Sequence, residues 1–175
     1  LPSNLARPMS DTVVSTLSTL TTFTAADGEN LAVQDWPLLE GTSRGTVLLV
    51  HGLGEHVGRY DAVARRLNAW GFAVRGYDQY GHGESGGPRG GLTGEMRLLD
   101  DLADMVDATR ARMAAHQPLV LVGHSMGGLV AARFVSMHLR PVDALVLSSP
   151  ALDPGLNAVQ KLLLSIVPKV APNLR

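Results

Sequence analysis

Apolar and polar positions alternate along Leu20–Thr24 and again along Leu31–Pro37, with Ala26-Asp27-Gly28-Glu29-Asn30 between them. Period-two alternation on both sides of an Asp-Gly step predicts a β-hairpin. After a polar turn at Gly41–Gly45 the pattern changes. Thr46–Val50 is a continuous apolar run rich in valine and leucine, as expected of a strand buried on both faces. Further strands are read at Phe72–Tyr77, Pro118–Val122 and Val142–Ser148. Between them the apolar spacing becomes helical. Arg59–Trp70 carries Tyr60, Val63, Ala64 and Leu67 on one stripe and is stopped by Gly71. Glu95–Ala115 aligns Met96, Leu99, Leu102, Ala103, Val106 and Met113. Its acids (Glu95, Asp100, Asp101, Asp104) come early and Arg110 and Arg112 late, the order that suits the helix dipole. Met126–His138 is a third helix, and Asp78–Gly94 is a long glycine-rich loop.

A hairpin followed by β-α-β-α-β-α-β predicts an α/β protein, a mostly parallel sheet with helices on both faces. No internal repeat interrupts it. Beyond Pro150, Leu156, Val159, Leu163, Ile166 and Val167 form a new helical stripe, and no strand signal follows.

Composition narrows the functional classes. The chain has 175 residues, 45% hydrophobic and 18% charged, with a net charge of −1, so it is globular rather than disordered. Near-neutral charge and few aromatic residues give no footprint for nucleic acid as a partner. There is no cysteine, which removes disulfides, thiol catalysis and thiolate metal sites. No apolar stretch approaches the ~18 residues of a membrane span, and no signal core stands near Leu1–Thr22. The default expectation is a soluble, cytoplasmic protein.

The strongest chemical signal is Gly123-His124-Ser125-Met126-Gly127-Gly128, a Gly-x-Ser-x-Gly pattern set between a strand and a helix. A nucleophilic serine on such a corner has its hydroxyl raised above the sheet edge. The corner brings the residues two before and two after it together, which calls for glycine at both. The helix that follows presents its N-terminal amides where negative charge builds up. The pattern alone is weak, with roughly 0.1 chance matches expected in a chain so rich in glycine. Gly83-Glu84-Ser85-Gly86-Gly87 matches too, but it opens no helix, so Ser85 is read as a loop residue. A second signal supports Ser125. Thr46–Val50 runs into His51-Gly52-Leu53-Gly54-Glu55-His56, a His-Gly-x-Gly loop where this chemistry places its second oxyanion donor. The expected donors are the backbone N–H groups of Leu53 and Met126. His51 and His56 have no third partner at metal-site spacing, so neither a metal nor another cofactor is expected.

Three segments together resemble the monoacylglycerol lipase and lysophospholipase branch of the α/β-hydrolase superfamily. They are His51–Tyr60, Gly76–Gly90 with its Gly-His-Gly-Glu-Ser-Gly core, and Gly123–Gly128. The resemblance implies an eight-stranded sheet, a helical cap inserted after the sixth strand, and hydrolysis of a single-chain lipid ester. It assigns Ser125 as nucleophile and Leu53 and Met126 as oxyanion donors. Glu55 and Arg59 match residues that shape the polar end of the site, with a surface ion pair as their alternative. Gly52 and His124 are further candidate substrate contacts, although His124 points away from the hydroxyl if the corner has its usual shape. Asp78 matches a structural loop residue. On this reading residues 1–19 are an N-terminal extension, 20–150 an incomplete α/β-hydrolase core, and 151–175 the start of the cap.

In that family the order is nucleophile, acid, histidine. After Ser125 the only histidine is His138, about 20 Å along a helix from the serine and out of reach as a base. The expectation is therefore that the triad Asp and His lie in a C-terminal remainder of the same protein, that this segment alone is inactive, and that it leaves a sheet edge exposed. The cap stripe suits an acyl chain and at most peripheral membrane contact. The alternatives are another α/β-hydrolase chemistry (a peptidase, or a cofactor-free haloperoxidase-like activity) and a non-catalytic truncated module.

Overall fold

The computed structural model describes residues 18–38 and 41–152. Most of the expected N-terminal extension, and the helical stripe over Leu156–Val167 with nearly all of the expected cap, lie outside the described residues. The elements are β1 (Thr19–Thr24), β2 (Asn30–Trp36), β3 (Thr46–Val50), a 3₁₀ turn (Val57–Tyr60), α1 (Asp61–Ala69), β4 (Ala73–Tyr77), α2 (Arg97–Arg110), β5 (Leu119–His124), α3 (Met126–Ser136) and β6 (Ala144–Ser148).

The strands form one sheet in the order β1-β2-β4-β3-β5-β6. β4, β3, β5 and β6 are parallel, and the β1–β2 hairpin adds antiparallel at one edge. The expected hairpin turn holds as drawn. Gly28 sits at φ 90°, Ala25 N–H donates to Glu29 O, and Asp27 Oδ1 accepts from Glu29 N–H. Register then decides where chemistry converges. Val50 pairs with Tyr77 on one side and with Gly123 on the other. His51, Asp78 and Ser125 therefore leave the sheet at the same carboxyl edge, where ligands bind in such folds.

Both faces are covered. Trp36, Val47, Leu49 and Val74 pack with Ala64 of α1 on one face. Leu48, Val50, Leu119 and Leu121 pack with Leu99, Leu102, Met105 and Val106 of α2 and Val130, Ala131 and Phe134 of α3 on the other. Among the described residues β6 is an edge strand. Leu145 and Leu147 lean into the second core, while Val146 is 49% exposed.

The helices differ from expectation in their faces and ends. In α1 the buried positions are Ala64 and Asn68, and Val63 is exposed. Asn68 turns inward because its Nδ2 donates to Trp36 O and Phe72 O, which satisfies the donors of the buried amide while its Oδ1 stays unpaired. The helix expected over Glu95–Ala115 is shorter at both ends. Of its early acids, Asp101 does not face solvent at the dipole. It is buried against Arg97, whose guanidinium also pairs with Asp27 and lies 4.2 Å over the Tyr80 ring. Burial pushes the Asp101 carboxyl up to about 6, against the pull of Arg97.

Candidate active site

Ser125 stands between β5 and α3 at φ 52°, ψ −117°. A non-glycine residue rarely occupies that conformation, and it persists only where neighbours impose it. Ser125 N–H donates to Ser148 O at 3.0 Å, and its carbonyl accepts from Leu129 and Ala151 N–H at 3.1 and 3.0 Å. Its side chain makes no capping bond to α3 and remains half-buried. The glycines on either side act differently from one another. A Cβ at Gly123 would overlap the Gly127 carbonyl, the close approach expected of the corner. A Cβ at Gly127 would instead overlap the carbonyls of Val50 and His51 at the end of β3. Gly127 therefore fits the helix start against the neighbouring strand. Met126 is the first residue of α3, so its amide has no intrahelical acceptor.

The loop after β3 meets this corner. A Cβ at Gly52 would lie 3.2 Å from Ser125 Cβ and 2.9 Å from Glu55 Oε1. Glu55 Oε1 accepts from Gly52 N–H at 2.5 Å and from the Tyr60 hydroxyl at 2.7 Å. Burial works against its charge, yet these bonds and the neighbouring histidines hold the Glu55 carboxyl below its usual range. The Tyr60 phenol is raised by burial and by the adjacent carboxylate. Arg59 reaches Glu55 Oε2 at 3.6 Å with a largely exposed side chain, which makes a weak pair. Glu55 thus braces its own loop, a use that the alternative of a surface ion pair with Arg59 does not include. Leu53, the loop tip, is 70% exposed. His124 Nδ1 donates to Ser148 O at 3.1 Å, so its ring is held by the end of β6.

Asp78 is structural, as expected. Its two carboxylate oxygens accept from Val57 N–H at 2.7 Å and Glu84 N–H at 2.8 Å. Ser85 is buried, donating to Asp78 O and accepting from Ala32 N–H. His138 follows the C-terminal end of α3, and Asp143 Oδ2 caps the Leu119 amide and pairs with Arg110. Neither is brought to Ser125. Among the described residues no group of three or more His, Cys, Asp or Glu is placed to hold a metal ion. A cleft of ≈ 300 Å³ beside the loop is lined by Leu53–His56, Gly81–Gly83, Arg89 and Gly90. Sequence reasoning missed Tyr60 and Gln79 as loop supports. Tyr60 had a signal in its spacing from Glu55; Gln79 had none.

A serine perched at the carboxyl edge of a parallel sheet, faced by a glycine loop from the adjacent strand, is the architecture of an α/β-hydrolase. A solved structure of a soluble variant of monoglyceride lipase from Saccharomyces cerevisiae, in complex with a substrate analog, superimposes with a TM-score of 0.79 at 26% identity, covering 96% of this chain and 57% of that one. Monoacylglycerol lipase of Mycolicibacterium smegmatis is 35% identical over 133 residues, 75% of this chain and 47% of that protein. Monoglyceride lipase of Homo sapiens is 34% identical over 125 residues, 71% of this chain and 41% of that protein. The hydrolase family described as serine aminopeptidase, S33, matches residues 41–175, and the chain belongs to that family. It spans about half the length of the curated relatives it matches.

Proposed function

We propose that this chain carries the nucleophile half of a serine hydrolase that cleaves carboxylic esters of single-chain lipids, monoacylglycerols or lysophospholipids. The observation that supports it most is the Ser125 backbone at φ 52°, with no capping bond to its hydroxyl and the Gly52 loop in contact with it. In this reading the Ser125 oxygen attacks the ester carbonyl carbon as a histidine takes its proton. The carbonyl oxygen becomes an oxyanion and accepts from Leu53 and Met126 N–H, each worth ~2.7–4 kcal/mol in the transition state. Collapse expels the alcohol, which takes the proton from the histidine, and water then releases the acid from the acyl-enzyme by the same route.

The histidine and its acid belong, on this proposal, to a part of the protein that follows residue 175. The core runs over 20–150 and the cap begins at 151–175, where an apolar helix covers the acyl chain and touches lipid peripherally. Gly52, Glu55, Arg59 and His124 line the polar end for the leaving alcohol. Among the described residues no helix is long and apolar enough to cross a membrane.

The test is labelling of the full-length protein with a fluorophosphonate probe. Ser125→Ala is expected to abolish it, and undiminished labelling of that variant ends the assignment. The family description favours a second reading, an aminopeptidase acting on amides. Faster turnover of aminoacyl amides than of acyl esters would select it.

A further inference from the structure

We infer that Gln79 is a positioning residue for the oxyanion loop, holding the two peptide planes that lead to the Leu53 amide. The inference rests on the proposed role of that amide, but its geometry stands apart from it. Gln79 leaves the end of β4 and is fully buried, and so is His51 at the end of β3. Gln79 donates twice to His51. Its main-chain N–H reaches His51 Nε2 at 2.9 Å, and its side-chain Nε2 reaches the His51 carbonyl at 2.7 Å. A main-chain N–H can only donate, so His51 Nε2 must be the unprotonated nitrogen. The ring proton then lies on Nδ1 and is donated to Gly52 O at 2.7 Å. Burial keeps the imidazole neutral, in spite of the carboxylates of Asp78 and Glu55; the nearby His82 ring opposes its charge.

The consequence follows from amide planarity. Gly52 C=O and Leu53 N–H belong to one trans peptide and point in opposite directions. Fixing Gly52 O on His51 Nδ1 therefore fixes the direction of the Leu53 amide. The preceding plane is pinned as firmly, with His51 O on the Gln79 amide and Gly52 N–H on Glu55 Oε1. Gln79 does this at a cost, since its own Oε1 is buried without a partner. A side chain kept in the interior with one polar atom unpaired calls for a reason. The donor it supplies to His51 is that reason.

The experiment compares full-length wild type with Gln79→Leu and Gln79→Met, neither of which carries a side-chain hydrogen-bond donor. Monoacylglycerol turnover is expressed per active serine, titrated with a fluorophosphonate. Because an oxyanion donor acts in the transition state, kcat is expected to fall about 10–100-fold while KM changes little. Unchanged turnover per active serine in both variants overturns the inference, since loss of folded protein alone would lower only the titrated fraction. A readout without catalysis is ¹⁵N NMR of the wild type, where the Nδ1–H tautomer of His51 is expected and the Nε2–H tautomer overturns the inference. In the variants the Leu53 amide resonance should move more than that of Met126. If wild type cleaves no ester, the proposed function fails, and the Leu53 amide shift in the variants still decides the role of Gln79.

Discussion

Three serines in this chain, Ser43, Ser85 and Ser125, sit in the same five-residue pattern, and the structure treats the last two in opposite ways. Ser125 lies between Gly123 and Gly127 on a strained corner, half-buried, with no capping bond from its hydroxyl. Ser85 lies between Gly83 and Gly87, is buried, and has its hydroxyl consumed by Asp78 O and Ala32 N–H. The flanking glycines differ as well. A Cβ at Gly83 would overlap the Asp78 carboxylate, and one at Gly87 the Tyr80 ring. Those glycines admit side chains into a packed loop. Gly123 and Gly127 let main chain meet main chain. A serine in this pattern becomes a candidate nucleophile only when a strand delivers it and a helix takes the chain away, because only then is the hydroxyl left to an incoming substrate.

Exchanging the two serines for alanine breaks the comparison most sharply. In the full-length protein, Ser125→Ala should lower ester turnover on the order of 10⁶-fold, while Ser85→Ala keeps fluorophosphonate labelling. Labelling lost at Ser85 and retained at Ser125 would reverse the assignment. The next effect is steric. Gly127→Ala drives a methyl into the Val50 and His51 carbonyls and should cost about 3 kcal/mol in urea unfolding. At Gly86 a Cβ meets chiefly the end of the Glu29 side chain, which can swing aside. Gly86→Ala should therefore cost less than about 1 kcal/mol by the same measurement. A Gly127→Ala midpoint equal to wild type would show that the corner relaxes.

Ser85→Ala is expected to cost about 1–3 kcal/mol, because it leaves Ala32 N–H and Asp78 C=O unpaired in the interior. A neutral substitution would mean that the loop holds without its serine.

The last expected effect is in pH. Burial lowers the basicity of His51 below its ordinary 6.5. Between that value and its lower folded pKa the unfolded chain binds the extra proton, so stability is full above 6.5 and falls with acidification. Its contribution to the slope is at most about 1.4 kcal/mol per pH unit. A His51→Gln variant should lose that part of the slope, and an unchanged profile would place the acid sensitivity elsewhere.

Much of the scaffold was legible because its signals are local. The hairpin showed in alternation around Asp27-Gly28, β3 in its unbroken run, and the two loops of the site in their glycines. The helix faces were read less well. Val63 looked apolar enough for the core, yet Asn68 is the residue inside, since two carbonyls, one at the end of β2 and one just before β4, await its amide. Asp101 looked like a dipole-complementing acid and is instead buried with Arg97. Nothing near Gln79 in the chain points to His51, 28 positions earlier.

What residue types decide alone is the order of elements, the places where the backbone must turn through glycine, and the serine that such a turn presents. These depend on sterics within a few residues. Which buried donor meets which carbonyl is decided only by folding. The β3–β4 and β3–β5 registers bring His51, Asp78 and Ser125 to one edge, and a desolvated polar group must then bond to whatever that register places beside it.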